Sequence, residues 1–337
     1  MSRSKVPSAP VSVVIPAFNV EDYIGGAIAS VRAQTVAPAE IIVIDDGSSD
    51  GTGAAAEEAG ARVIRQNNRG LAAARNRGVA AARWPWIALL DADDRWLPGK
   101  LERQWNAHLA APDVRILATD LTCVNERGVR TPSANAVHPS YRRSLRERVT
   151  GESVRIGRAS LSATLPRGQY VCMSSALIER ALLLEEPFDP ELPSTQLYHI
   201  GEDFEWLARA ARHSDVVFVE APLVEYLQRS GSLSSNEGRM RFGDVKLGEI
   251  LARSPERYAP GFAATFRTVR RHQQSIAALA FLRAAEPSKA RAVLDEASAQ
   301  GFDLRLAALT LLVMLLDNAT GAGVIQTLRS LRRAAAP

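Results

Sequence analysis

The sequence predicts an α/β fold, with a parallel sheet wound with helices, followed by a helical C-terminal region. Three observations predict it. Short β-branched runs alternate with Ala-rich stretches of helical period through residues 11–90. Carboxylate clusters directly follow those β-branched runs. From about Met240 the strand signals stop and Ala, Leu and Arg dominate. Alternation of this kind builds a sheet covered by helices on both faces.

The elements follow in order. Val11 to Ile15 reads as a buried strand ending at Pro16. Ile24, Ala27, Ile28 and Val31 recur at helical spacing, so a helix follows. Ile41 to Ile44 is a second strand, Thr52 to Ala59 a helix and Arg62 to Arg65 a third strand. Gly70 to Ala82 is an Ala-rich helix, and Trp86 to Leu90 is a strand running into Asp91-Ala92-Asp93-Asp94. After Pro98 a helix extends to about Ala110, and residues 114–125 read as a strand. Residues 126–168 are rich in Arg, Ser and Pro with weak periodicity, and are expected to be a long excursion with little regular structure. Val171 to Ile178 reads as a strand, Glu179 to Glu185 as a short helix and Asp203 to Arg212 as a helix. Val216 to Val219 and Leu223 to Leu227 are strand-like, and Ser275–Ala285 with Ser288–Ala299 form a hairpin of helices around Pro287.

With 337 residues, 46% of them hydrophobic, the chain can bury one large core or two smaller ones. The net charge of +4 comes almost entirely from Arg, since Lys occurs only at positions 5, 100, 246 and 289. No dense basic track interleaved with aromatics is present, so no nucleic-acid partner is expected. Cys123 and Cys172 show no CxxC pairing, which reads as a reduced, cytoplasmic chain. The first ten residues are polar and carry no signal-peptide core, and are expected to be flexible. Leu306 to Leu316 is too short to span a bilayer, which needs about 20 residues. With Arg329, Arg332 and Arg333 it forms an amphipathic stretch suited to packing on the main domain or to peripheral contact with the inner face of a membrane.

In a doubly wound sheet, ligands collect at the carboxyl ends of the strands. Those ends carry Pro16-Ala17-Phe18-Asn19, Asp45-Asp46-Gly47-Ser48 and Asp91-Ala92-Asp93-Asp94. Asp45 and Asp46 can accept hydrogen bonds from a ribose or a uracil edge, while Gly47 permits a sharp turn. The same residues also suit a plain strand-to-helix turn capped by Ser48, Ser49 or Asp50. Asp91 and Asp93 are hard oxygen ligands suited to Mn²⁺ or Mg²⁺ bridging to a diphosphate, although Asp-rich turns after strands are often only solvated. Gly70 opens the next helix, and Arg69 and Arg75 are placed to meet phosphate or to remain solvated. Downstream, Glu202-Asp203-Phe204-Glu205-Trp206 sets carboxylates at a helix start beside aromatics. That suits a general base, and equally a pair that favours the helix dipole.

The ordered set of Pro16 to Asn19, Ile44 to Ser48, Gly70 to Asn76, Asp91 to Asp94, Phe188-Asp189 and Gly201 to Trp206 resembles the inverting family 2 glycosyltransferases of GT-A fold, over roughly residues 10–235. The resemblance implies a mostly parallel nucleotide-binding sheet flanked by helices, with a C-terminal helical extension. It implies a metal-dependent hexosyltransferase. The donor would be a nucleotide-diphosphate sugar such as a UDP-sugar, and the acceptor a hydroxyl of a glycan or lipid-linked glycan in cell-surface or extracellular polysaccharide synthesis. Position by position, Pro16 and Phe18 match residues bordering the base, within the segment that also holds Ala17 and Asn19. Asp46 matches the aspartate that contacts uracil, with Asp45 beside it. Gly70 and Arg75 belong to the nucleotide-sugar motif. Asp91-Ala92-Asp93 matches the DxD motif, with Asp93 the direct metal ligand and Asp91 on the sugar or a bound water. Asp203 matches the catalytic base, Glu202 its acidic neighbour and Trp206 an aromatic near the acceptor. The chain departs from the family where relatives carry Tyr-x-x-His, because Tyr226-Leu227-Gln228-Arg229 ends in arginine.

The resulting organisation is a glycosyltransferase domain over 11–238, with a nucleotide-sugar half (11–110) and an acceptor half (111–238), followed by a helical region over 239–337. Arg142, Arg143, Arg146, Arg148, Arg155 and Arg158 in the excursion are either solvated or face an anionic acceptor. Two other readings are a sugar-phosphate nucleotidyltransferase and a non-catalytic nucleotide-sugar scaffold. The first expects a Gly-rich basic loop where Pro16 to Asn19 stands, and the second expects Asp93 or Asp203 to be lost.

Overall fold

The first strand, β1 (Ser8–Ala17), is apolar on both sides, and in the computed structural model it lies inside the sheet. The structure describes residues 8–131, 139–230, 232, 235–270 and 273–299. Val11, Val13 and Ile15 join Ile24, Ala27, Ile28 and Val31 of helix α1 (Glu21–Arg32) in one core. Alternate side chains of a strand point to opposite faces. Val14 accordingly meets the other layer, helix α3 (Leu71–Ala81), at Gly78.

A methyl group on Gly78 would fall 2.2 Å from Cγ1 of Val14. Gly78→Ala therefore overpacks the seam between α3 and β1, at a cost of about 1–3 kcal/mol that outweighs the gain of up to about 1 kcal/mol in helix propensity. Urea denaturation should show a lower midpoint with an unchanged slope. A neutral or stabilised variant would mean that α3 can retreat freely from the strand.

Strand β2 (Ala37–Asp45) pairs parallel with β1, and β3 (Arg62–Arg65) parallel with β2. Helix α2 (Thr52–Glu58) joins those two strands. Strand β4 (Trp86–Leu89) lies parallel on the other side of β1. The registers pair Ala17 with Asp45, Asp45 with Arg65 and Val14 with Leu89. The first three acidic or polar strand ends are thereby brought to one edge.

Six more strands follow among the described residues: β5 (Arg95–Trp96), β6 (Ile116–Asn125), β7 (Arg146–Arg148), β8 (Ser153–Ile156), β9 (Leu177–Glu179) and β10 (Val216–Gln228). The ten-stranded sheet has the order β3-β2-β1-β4-β9-β6-β10-β8-β7, with β5 on β10. It is mixed. Among the described residues four ladders are parallel and five antiparallel, so the expected parallel winding describes only part of the sheet. The parallel winding holds through β4. Strand β9 (Leu177–Glu179) then inserts antiparallel between β4 and β6 (Ile116–Asn125). Strand β10 (Val216–Gln228) runs parallel to β6 along its whole length, with shifts in register around Pro222 that join two segments expected to be separate. Helix α4 (Lys100–Ala110) precedes β6.

The 126–168 excursion is more regular than its composition suggests. It holds α5 (Pro139–Arg143), β7 (Arg146–Arg148), β8 (Ser153–Ile156) and α6 (Arg158–Thr164). These pieces are too short to display a period, and the exposed Arg-Glu-Arg of β7 is what a sheet edge tolerates. Residues 171–176 do not form the expected strand. Met173–Ser175 is a 3₁₀ turn in which Ser175 Oγ donates to Cys172 O at 2.7 Å, a local bond that competes with a ladder. Helix α7 (Arg180–Glu185) follows β9, and α8 (Glu202–Ala210) precedes β10. Ser8 to Pro10, expected to be flexible, belong to β1.

The chain divides into two units. The first comprises 1–191, 202–229 and 256–262 and contains the sheet. The second comprises 192–201, 230–255 and 263–337. In the second unit, α9 (Glu237–Arg253) starts at Asn236, whose side chain accepts from Arg239 N. Phe242 of α9 packs with Ala277, Ala278 and Phe281 of α11 (Gln273–Arg283) and with Ala290, Val293 and Leu294 of α12 (Pro287–Ala299). Pro287 opens α12, where a missing N–H costs nothing. Helix α10 (Phe262–Arg270) lies between α9 and α11 in sequence. No helix of the described residues is long and apolar enough to cross a membrane. Leu306 to Leu316, Arg329, Arg332 and Arg333 lie outside the described residues.

Candidate active site

The carboxyl edge of β1 and β2 is organised by Asp46. Its Oδ1 accepts from Gln66 Nε2 at 2.7 Å and Arg69 N at 2.9 Å, and its Oδ2 accepts from Gly70 N at 2.8 Å. A carboxylate offers about four acceptor sites; three are taken here, and Asp46 is buried at 4% exposure. Asp45 is buried. It accepts from Ser48 N at 2.9 Å and pairs with Arg65 at 3.1 Å, which makes it a brace of the turn. Gly47 adopts φ +82, and a Cβ there would lie 2.8 Å from Asn68 N, so the turn requires glycine. Gly70 also holds positive φ, at +86, immediately before α3. Asn19, at φ +50, receives Ser49 N on its Oδ1 at 2.9 Å and ties the β1 end to the β2 end. Pro16 and Ala17 are buried within β1, whereas Phe18 is 47% exposed beside them. An exposed aromatic at this edge is available to a planar base.

The Asp91–Asp94 turn lies between β4 and β5 (Arg95–Trp96), and β5 is paired to the distal half of β10. Each aspartate has its own partner. Asp91 accepts from Arg75 Nη2 at 2.8 Å, and Asp93 from Arg229 Nε at 2.8 Å. Asp94 is buried and accepts from Ser174 Oγ at 2.5 Å and from Leu227 N at 2.9 Å. Burial, followed by the charge of Asp91, pushes the Asp94 carboxyl well above the usual carboxylate range. Asp94 thus locks the turn to β10, and Ala92 is buried between the two outward carboxylates. Asp93 opens on a cavity of about 450 Å³ that is also lined by Asp22, Tyr23, Arg95, Glu126 and Glu225.

The sequence leaves Arg75 either to meet phosphate or to remain solvated. Its side chain is instead 2% exposed and joins Asp91 to Glu202. Burial opposes its charge, but Asp91, Glu202 and Asp203 outweigh that and push its pKa up. The guanidinium also lies 5.4 Å from the Phe188 ring centroid. No surface is left for a phosphate, so Arg75 ties the DxD turn to the start of α8. Glu202 is buried in that tie. Burial raises its carboxyl to about 7, against the opposing pull of Arg75 and with help from Asp203. Asp203, the next residue, is only half-buried and accepts from Gln169 Nε2 at 3.0 Å.

Trp206 was expected near an acceptor. It is 0% exposed, donates from Nε1 to Glu186 O at 2.6 Å and packs at a tilt against Phe188 with centroids 5.4 Å apart. Three residues to the C-terminal side of Asp203, it lies on the inner side of α8 and presents no face to an acceptor in this structure. Two contributors stand outside the sequence motifs: Ser174 receives Asp91 N and donates to Asp94, and Gln169 holds Asp203. Each acts on a residue at least 34 positions away, so no local spacing announces them. Two motif residues, Asn76 and Phe188, exchange two hydrogen bonds at 2.7 and 3.0 Å. Of the excursion arginines, Arg155 pairs with Asp113 and Asp215, and Arg148 with Glu220, so these charges serve ion pairs within the domain.

Asp91 Oδ2 and Asp93 Oδ1 are the DxD oxygens not used by an arginine. One or two carboxylates complemented by substrate phosphates is the usual donor set for Mg²⁺. Asp91 and Asp93 are therefore the residues that would hold such an ion if a diphosphate completed its shell. Among the described residues no group of three or more His, Cys, Asp or Glu is arranged to hold a metal without that help.

A sheet edge that gathers these strand ends, with a DxD turn tied to an acidic helix start, defines a GT-A-like fold. Residues 12–163 match the family model described as Glycosyl transferase family 2, and the chain contains a family 2 glycosyltransferase domain. The chain is 44% identical over 89 residues to the uncharacterized glycosyltransferase EpsJ of Bacillus subtilis, covering 25% of this chain and 26% of EpsJ. It is 44% identical over 97 residues to the succinoglycan biosynthesis protein ExoU of Rhizobium meliloti, covering 27% of this chain and 28% of that one. It is 41% identical over 98 residues to the UDP-Glc:alpha-D-GlcNAc-diphosphoundecaprenol beta-1,3-glucosyltransferase WfgD of Escherichia coli, covering 28% and 39%. The matches therefore span between about a quarter and two fifths of these relatives. Among solved structures, S. aureus TarS 1-349 in complex with UDP-GlcNAc aligns with a TM-score of 0.52 at 20% identity, covering 84% of this chain and 83% of that one. That likeness concerns the fold.

Proposed function

We propose that the chain transfers a hexosyl group, with inversion, from a UDP-sugar to a hydroxyl of a glycan or lipid-linked glycan in extracellular or cell-wall polysaccharide synthesis. The observation that carries this reading is the Arg75 tie, which sets the DxD turn and the half-buried Asp203 around one buried cation. The name of WfgD, a UDP-glucose-dependent transferase to a diphosphoundecaprenol-linked sugar, supports the donor and acceptor classes.

In the proposed reaction the base stacks against Phe18 and its edge meets Asp46. Asp203 takes the proton of the acceptor hydroxyl, and that oxygen attacks the anomeric carbon from the face opposite the nucleotide. The bond from anomeric carbon to diphosphate oxygen breaks, and its electron pair leaves with UDP. Mn²⁺ or Mg²⁺ held by Asp93, with Asp91, would supply charge neutralisation to the leaving diphosphate. Of the two carboxylates at the start of α8, Asp203 suits the base because Glu202 is sealed against Arg75.

The test is a panel of UDP- and GDP-sugars with Mn²⁺ and simple glycosides or polyprenyl-diphosphate sugars, followed by proton NMR of the product. The expected product has the anomeric configuration opposite to that of the donor. Retention of configuration would overturn the single-displacement mechanism. Failure of every UDP-sugar to bind in calorimetry would overturn the donor class.

A further inference from the structure

Arg229 directly follows β10 and makes a single polar contact with the described residues, its Nε on Asp93 Oδ2 at 2.8 Å. Its guanidinium also sits 5.1 Å from the centroid of the Tyr23 ring. Both partners of the ion pair remain accessible, with side-chain exposures of 21% and 19%. This differs from Arg75, which is sealed between two carboxylates and is structural. Only Nε is used, so both Nη groups of Arg229 make no hydrogen bond to the described residues. An arginine presents five donors in a planar fork suited to bidentate binding of phosphate.

Asp93 faces a cavity whose lining also sets Asp22 and Glu126 against Arg95, while Glu225 of that lining is already paired with Arg130. A diphosphate approaching that wall is repelled unless a cation stands between. The nearest such charge that the chain itself provides at Asp93 is Arg229. The stack on Tyr23 holds the side chain in place while leaving its fork free, and weak hydration of guanidinium favours that arrangement.

We propose that Arg229 is a resident counter-cation for the donor's diphosphate. In the donor-free chain it neutralises Asp93. With donor present its Nη groups bind the β-phosphate, so the chain binds a nucleoside diphosphate without a divalent ion. A divalent ion, when present, must share Asp93 with this guanidinium and is bound more weakly for it. The proposal rests on the nucleotide-sugar reading above and goes beyond it by assigning the diphosphate a protein partner.

The experiment is calorimetric titration of the full chain with UDP, in EDTA and in Mn²⁺, for wild type and for Arg229→Ala and Arg229→Lys. Direct Mn²⁺ binding without nucleotide is followed in parallel by electron paramagnetic resonance. Wild type should bind UDP in EDTA. Arg229→Ala should lose about 10- to 100-fold in that affinity, the worth of a charge-assisted hydrogen bond, and far less in Mn²⁺. Arg229→Lys should recover only part of the loss, because an ammonium has no fork. Mn²⁺ alone should bind Arg229→Ala more tightly than wild type, since Asp93 is freed. UMP, which lacks the β-phosphate, should bind both proteins alike. UDP binding to wild type in Mn²⁺ but not in EDTA would overturn this proposal and leave the nucleotide reading standing. Equal UDP affinity of wild type and Arg229→Ala in EDTA would do the same. Absence of UDP binding in both media would overturn both.

Discussion

Asp203→Asn should lower turnover by about 10²- to 10⁴-fold, the usual yield of general-base catalysis, equivalent to roughly 3–5 kcal/mol of barrier. Asparagine keeps the shape of the side chain and can still accept from Gln169, whose Nε2 stands 3.0 Å from Asp203 Oδ2. What it lacks is a basic oxygen for the acceptor's proton. UDP affinity should be unchanged, because the base-side contacts at Phe18 and Asp46 and the phosphate-side contacts at Asp93 and Arg229 are untouched. Single-turnover kinetics beside calorimetry separate the two effects. Near-normal turnover would remove Asp203 from the role. A larger loss in Glu202→Gln than in Asp203→Asn would transfer the role to the residue that is now sealed on Arg75.

Arg75→Met should be the most destabilising single change in the site. It removes the cation shared by Asp91 and Glu202 while leaving both carboxylates in place, one of them buried. Breaking a buried pair from one side costs about 3–5 kcal/mol. Glu202, already raised to about 7 by burial, would then be held only with its proton. The loss should be larger at pH 8 than at pH 5. The sign follows from the proton balance: with the folded-state pKa above the unfolded one, the folded chain binds more protons, so stability falls as pH rises from about 4.5 through about 7. Adding Glu202→Gln to Arg75→Met should restore part of the stability, since it removes the carboxylate left unpaired. Urea midpoints across pH for the single and double variants check this. A loss under about 1 kcal/mol for Arg75→Met would mean that solvent reaches the site and that the tie carries little.

Much of the first half was legible because its signals are local. The buried positions Ile24, Ala27, Ile28 and Val31 of α1 stand at helical spacing, and β3 runs from Arg62 to Arg65 as its residues suggest. The strand-end clusters were legible for the same reason, since parallel winding sends successive strands to the same edge. The later half was less so. Strand β9 is three residues long, and its antiparallel insertion between β4 and β6 depends on pairings with residues about 60 to 90 positions away. Residues 171–176 look like a strand by composition, but hydroxyl bonds from Ser174 and Ser175 bend them into the floor of the DxD turn.

The sequence by itself determined the alternation of elements, the clustering of carboxylates at strand ends and the candidacy of Asp46, Asp91, Asp93 and Asp203, because each depends on neighbours within a few positions. Only the tertiary structure decided which charges are free to act. Arg75 and Arg229 are both arginines near aspartates in the sequence-derived site. The fold seals Arg75 between Asp91 and Glu202, 127 residues apart from the latter, and leaves Arg229 half-open on Asp93, 136 residues away. Adjacent Glu202 and Asp203 are likewise separated, one buried on that arginine and one open beside Gln169. Burial and pairing set the charge and reach of an ionisable group, and both are fixed by residues distant in the chain.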